Sequence, residues 1–292
     1  MHFSSDINRP PYEARDGYLQ ITSGCTHGTC KFCTFYKDSK FKYSPMSEIE
    51  EDIKELRDSG WRFERIYLQG ADPLIRSYED LVKIADMIHK YLPYVKTIGG
   101  YARVDNLKNK TVEQLRQLFE LGYCYFYFGM ESGDDKLLAR MNKGYKSEVI
   151  VEQCKKMDEA GMPYIGNFLG GLGGHNYGLS HARESARVIN QLKPAMIYAS
   201  ELTLFPDTPL SEEVEAGTYE EATELERIQE LQEFIRCLKT ETIFRAEHVT
   251  IPVPIYGKVP QDNERMIAKL QRVIDENGEE NLRNYREHIY GL

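Results

Sequence analysis

The sequence predicts an α/β fold, a partial (β/α)6 TIM-like barrel with a C-terminal extension, from three observations. Short β-rich runs alternate with helical runs, each helical run is long enough to cross back over a parallel sheet, and the alternation stops after six repeats. With 292 residues, 41% hydrophobic and 28% charged, the chain has ordinary globular statistics and apolar material for a sizeable core. Right-handed crossovers should curl such a sheet and collect its motifs at the C-terminal ends of the strands. A doubly wound sheet is the competing arrangement, but its glycine-rich turn directly after the first strand is missing.

The first strand is expected at 18–23 (YLQITS), and after a cysteine-rich loop a helix follows at 47–59, with carboxylates in its first turn and Gly60 behind it. A strand at 65–69, a helix at 77–91, a strand at 95–101 and a helix at 111–121 make the next units. The fourth strand starts at Tyr123 (YCYFYFG) and leads to helices at 134–141 and 147–160, the latter stopped by Gly161. The fifth strand, 163–169, is paired with a helix at 180–192, and the sixth, 196–204, with an acidic helix at 219–239. Beyond residue 243 the repeat ends, and a short strand, a Pro-rich turn and a helix at 263–276 are expected to pack on the barrel. The chain is thus read as an N-terminal extension (1–17), a barrel (18–242) and a C-terminal extension (243–292).

The balance of 37 basic and 46 acidic residues, formal charge -9, works against phosphate-backbone binding, so nucleic acid is disfavoured as a partner. The lysines at 31, 37, 40 and 42 read as a solvated loop. No apolar leader or membrane-length run is seen, and six unevenly placed cysteines are too few for a disulfide scaffold, which points to a reducing, cytoplasmic setting. Clustered thiols in such a setting point to metal.

Three thiols follow the first strand directly, in Gly24-Cys25-Thr26-His27-Gly28-Thr29-Cys30-Lys31-Phe32-Cys33. Three thiolates can hold three irons of a cubane and leave the fourth iron open to a ligand. The same residues with His27 can instead form a structural zinc site, and taken alone the two readings are comparable. Position favours iron, because structural zinc knuckles usually staple small modules and not the first loop of a large barrel. Cys124, Cys154 and Cys237 are scattered and are expected to pack as small buried hydrophobes.

On these residues the chain, over 18–210, resembles the radical S-adenosylmethionine (SAM) superfamily, in particular its oxygen-independent coproporphyrinogen oxidase-like and methylthiotransferase-like branch. The loop's place and the aromatic Phe32 before the third cysteine agree with that family. One extra residue stands between Cys25 and Cys30, where the family usually has three. The resemblance implies a 4Fe-4S cluster on Cys25, Cys30 and Cys33, with SAM as cosubstrate. It also implies an electron donor such as flavodoxin or ferredoxin, and a small-molecule or peptide substrate.

It also implies roles for the strand ends. Gln69-Gly70-Ala71-Asp72-Pro73 stands where the family has a Gly-Gly-Glu-Pro type of motif, so Asp72 would receive the methionine ammonium. Glu131, in Gly129-Met130-Glu131-Ser132, and Lys143, twelve residues later, match the residues that meet the cosubstrate's polar groups and its carboxylate. Asn167, before the glycine turn at 170–174, would meet the ribose, while Arg103 and Tyr101 are more loosely placed pocket residues. In a regular strand Tyr125 and Tyr127 share the parity of Glu131 and would line a substrate cavity, though tyrosines also serve ordinary strand packing. Arg245 and His248 would reach over the mouth, unless they belong to a plain surface loop. A zinc-stabilised binding or regulatory protein and a simple iron-sulfur electron carrier are the rival functions.

Overall fold

The structure is a computed structural model that describes residues 1–289. Its contacts divide the chain into two units, residues 1–28, 34–129 and 153–164 in the first, and 29–33, 130–152 and 165 onward in the second. Among the described residues ten strands and ten α-helices carry the fold. In chain order they begin β1 (Gly17–Gln20), β2 (Thr22–Ser23), β3 (Lys42–Tyr43), α1 (Met46–Asp58), β4 (Arg65–Gln69), α2 (Tyr78–Tyr91), β5 (Thr97–Ala102) and α3 (Val112–Glu120). They continue with β6 (Phe126–Glu131), α4 (Asp135–Arg140), α5 (Ser147–Ala160), β7 (Tyr164–Gly170), α6 (Gly178–Ile189) and β8 (Met196–Glu201). The chain ends with α7 (Pro209–Glu215), α8 (Glu224–Cys237), β9 (Thr242–Ala246), β10 (Ile255–Val259), α9 (Asn263–Glu276) and α10 (Glu279–Glu287).

In the first unit β1, β4, β5 and β6 pair in parallel in that order, with Gly17 opposite Ile66, Arg65 opposite Thr97 and Tyr101 opposite Tyr127. The helix starts expected from sequence become caps: Ser77 accepts from the Asp80 amide, and Thr111 forms a reciprocal capping box with Gln114. Ile49 and Ile53 of α1 and Leu81, Ile84 and Ile88 of α2 are fully buried, as the apolar stripes require. The expected first strand is interrupted: β1 ends at Gln20, and Thr22–Ser23 turns aside to pair with Lys42–Tyr43 in an antiparallel ladder. The expected fourth strand starts later than its tyrosines suggest. Tyr125 takes a φ of +54° and is 43% exposed, because its N–H donates to the Pro163 carbonyl and its own carbonyl accepts from Arg65. The alternation that would turn Tyr125 to the same side as Tyr127 therefore fails, whereas Tyr127 is buried.

In the second unit β7, β8 and β9 are parallel neighbours and β10 returns antiparallel to β9, so the segment after 243 extends the sheet by a hairpin. The acidic helix α8 starts at Glu224 because Thr223 caps it, and its buried Leu231, Phe234 and Ile235 pack with α6. Phe168 of β7 stacks between His181 (4.9 Å) and Phe234 (3.9 Å). The short α7 and the terminal α10 have no counterpart among the expected elements.

Arg65 ties the N-terminal segment to the first unit's strands. Its guanidinium meets Glu13 at 2.8 Å and Asp16 at 3.5 Å and donates to the carbonyls of Cys124 and Tyr125. Position 99 must be glycine beside it, since a Cβ there would lie 2.1 Å from the guanidinium. Burial, then the neighbouring Glu13, pushes the Asp16 carboxyl up to about 8. Burial works against the Glu13 anion, but Asp16 and Arg65 together hold its carboxyl below the usual range. The pair thus holds one proton at neutral pH. Asp16 is raised in the folded state, so its share of stability is full below its unfolded value of about 4 and is lost as pH climbs through 8. Thermal denaturation should show the wild type losing melting temperature relative to Asp16→Asn between about pH 6 and about pH 9. Parallel curves for the two proteins would show that no shared proton is held there.

Candidate cofactor and cosubstrate site

Asp72 and Cys25 meet the same turn of the first unit. Asp72 is fully buried; its Oδ2 accepts from the Thr26 amide at 2.5 Å, and its Oδ1 has no hydrogen-bond partner within the protein. Cys25 accepts from the Gly28 amide at 3.4 Å. Burial, reinforced by the Asp72 carboxylate, pushes the Cys25 thiol up, while the Gly28 and His27 amides pull the other way. Arg103 is buried with its guanidinium clamped on Asp105 at 3.0 and 3.1 Å, and its N–H donates to the Asn106 side chain. Asp105 thus holds the cation that the sequence assigns to the pocket.

Within the second unit, residues distant in sequence converge. Glu131 closes β6 with a φ of +63°, a conformation that costs roughly 1 to 3 kcal/mol outside glycine and persists where the surroundings fix the side chain. Its Oε1 accepts from Lys143 at 3.1 Å and its Oε2 from the Asn167 amide at 2.9 Å. Lys143 follows a tight helix stop: the left-handed Asn142 and Gly144 flank it, and its N–H returns to the Leu138 carbonyl. Its ammonium stands 5.9 Å from the Phe32 ring and 5.8 Å from the Tyr145 ring. Phe32 belongs to the segment carrying Cys30 and Cys33, which is strapped in place on two sides. The Lys31 amide donates to the Met141 carbonyl and the Asn142 side chain to Thr29, while the Leu210 amide donates to the Lys31 carbonyl and Lys31 pairs with Glu213. The cleft beside Glu131 and Asn167 is lined by Met130, Ser132, Gly133 and Phe168.

None of the six cysteines is in a disulfide. Cys154 and Cys124 are buried, and Cys237 is half-buried with its thiol toward Glu233. Among the described residues no three His, Cys, Asp or Glu side chains stand together as a metal-holding group. The donor set still suits an iron-sulfur cluster: three non-disulfide thiols within nine residues, with backbone amides turned toward Cys25 as they turn toward cluster sulfurs. Arg245 is paired with Glu247 and lies over the Tyr256 ring, and burial holds the His248 imidazole below its ordinary pKa, with Nδ1 at Thr250. Gln69, Tyr67 and Glu13 were absent from the residues singled out by sequence. A glutamine closing the otherwise apolar run Ile66-Tyr67-Leu68 was the available signal for the first two.

Parallel strands joined by helical crossovers define an α/β fold. The Radical SAM superfamily profile matches residues 19–189, more than half of the chain. The chain belongs to the radical SAM superfamily, whose enzymes bind a 4Fe-4S cluster and SAM. It is similar to the threonylcarbamoyladenosine tRNA methylthiotransferase MtaB of Rickettsia prowazekii, 28% identical over 151 residues, which cover 48% of this chain and 34% of the relative. The chain thus spans about a third of that relative's length. Its fold is similar to methylornithine synthase (PylB), with a TM-score of 0.53 and 16% identity over 92% of this chain and 85% of that one. It is likewise similar to Escherichia coli coproporphyrinogen III oxidase (HemN), with a TM-score of 0.55 and 14% identity over 80% and 56%. No helix among the described residues is long and apolar enough to cross a membrane.

Removing the Lys143 ammonium leaves a buried Glu131 without its charge partner, so Lys143→Met should destabilise the ligand-free protein by roughly 3 kcal/mol. Urea unfolding checks this, and a variant as stable as wild type would mean that the two charges are not paired before ligand binds.

Proposed function

We propose that this chain is a radical SAM enzyme that reductively cleaves SAM and directs the resulting deoxyadenosyl radical onto a substrate yet to be identified. The observation that carries the reading is the Glu131–Lys143–Asn167 constellation beside the segment bearing Cys30 and Cys33, brought together from the end of β6, the turn after α4 and the middle of β7. When bound, the cluster supplies one electron, which splits the sulfonium carbon-sulfur bond into methionine and the 5′-deoxyadenosyl radical. Cys25, Cys30 and Cys33 would hold three irons of the cluster and leave the fourth open to the cosubstrate.

The protein's own groups bind and orient. The unengaged Oδ1 of Asp72 accepts from the methionine ammonium, and Lys143 turns from Glu131 toward the methionine carboxylate. Glu131, relieved of that partner, and Asn167 accept and donate to the ribose hydroxyls. No protein general base is required for the cleavage. The electron would come from a carrier such as flavodoxin or ferredoxin in a reducing, cytoplasmic setting, and the substrate would be a small molecule or peptide.

Two measurements test this. Anaerobic reconstitution should give about four irons per chain. Replacing any one of Cys25, Cys30 or Cys33 by Ala should abolish the cluster, and replacing Cys124, Cys154 or Cys237 should not. Titration calorimetry on cluster-loaded protein should then show Asp72→Ala and Lys143→Ala weakening SAM binding roughly ten- to hundredfold. Stoichiometric zinc in protein kept strictly anaerobic, with iron never incorporated, would contradict the proposal.

A further inference from the structure

On β4, Tyr67 and Gln69 share one face and Ile66 and Leu68 the other. Tyr67 is fully buried and Gln69 1% exposed. The Tyr67 ring meets Tyr101 edge-on at 6.0 Å, and Tyr101 meets Tyr127 at 5.9 Å, so three neighbouring strands present one wall of tyrosines. Neither the Tyr67 hydroxyl nor either atom of the Gln69 amide has a hydrogen-bond partner within the protein. The same holds for Thr22 Oγ1, which stands at the end of β4: a Cβ on Gly70 would lie 2.7 Å from it. Burial pushes the Tyr67 hydroxyl well above its ordinary pKa, which keeps it a proton-bearing donor.

Buried polar groups are nearly always paired. Leaving one unpaired destabilises the fold, and a methionine or leucine would fill the Gln69 site without that cost. Four unpaired atoms on three buried side chains of β4 and the residue beside its end mark a place where the protein gives up stability for recognition. The chemistry of the amide narrows what is recognised. Gln69 offers one acceptor and two donor hydrogens in a single plane, which a second amide satisfies with two parallel hydrogen bonds. A carboxylate would leave Oε1 unmet, and an ammonium would leave Nε2 unmet. The tyrosine wall favours a flat group.

We propose that Gln69, Tyr67 and Thr22 form a substrate subsite that recognises a planar amide or lactam edge, an N–H donor and a carbonyl acceptor side by side on a flat group. The subsite rests on the proposed function only in being assigned to the substrate and not to the cosubstrate.

The test uses cluster-loaded protein and two variants, Gln69→Leu and Gln69→Met, the second unbranched like glutamine. Both should melt at higher temperature than the wild type, since each removes an unpaired buried amide. The lactam 2-pyridone and benzamide should bind the wild type by saturation-transfer NMR and bind both variants at least about tenfold more weakly. Benzoate and benzylamine, the charged counterparts, should bind neither form. Iron content and SAM affinity measured on the same samples should be unchanged by the substitutions. A wild type lacking iron or SAM binding would count against the proposed function and leave the melting and amide-binding comparison intact. Variants that melt lower than wild type would show that the amide is a structural partner, and amide probes that bind both forms equally, or neither, would overturn the subsite.

Discussion

A parallel ladder forces each strand to begin at the edge where its neighbour began, and that constraint organises this chain. Successive parallel strands need a crossover of a dozen or more residues, which the helices provide, and within each unit every crossover returns the chain to the starting edge. The strand ends gather at the opposite edge, so groups far apart in sequence meet there without any local sequence relation. Glu131, at the end of β6, and Asn167, inside β7, are 36 residues apart and hydrogen-bonded.

That edge is where backbone regularity stops, and the chain uses it for polar groups that regular strands cannot hold. Glu131 adopts a left-handed backbone and is fixed by Lys143 and Asn167. Asp72 spends one oxygen on the backbone of the cysteine loop and keeps the other unengaged. At the opposite end of β4, by contrast, Arg65 pairs with Glu13, faces Asp16 at 3.5 Å and donates to two carbonyls. A cation engaged by several acceptors there and a carboxylate oxygen left unengaged beyond the other end fit a division between holding the fold and receiving ligands.

Much of this was readable in the sequence because its signals are local. Helix starts were marked by Ser77, Thr111 and Asp134, each of which caps its helix, and the six expected strands are all present. The order cysteine loop, Asp72, Glu131, Lys143, Asn167 was legible as an ordered set of motifs, and the structure brings Phe32, Glu131, Lys143 and Asn167 together. What escaped depends on long-range partners. Tyr125 looks like a strand residue by composition, and only its bonds to Pro163 and Arg65 give it a left-handed turn. The bond between Arg65 and Glu13 spans 52 residues and leaves no periodicity to detect. Gln69 reads as an ordinary strand end until its burial and lack of partners are known.

The central claim is that these strand ends support reductive cleavage of SAM. The most direct measurement is product analysis by mass spectrometry after anaerobic incubation of cluster-loaded protein with SAM and dithionite. The account predicts 5′-deoxyadenosine and methionine in equal amounts, dependent on dithionite, even with no added substrate. A cluster-replete protein that yields neither product and does not bind SAM would contradict it and leave a simple electron carrier in its place.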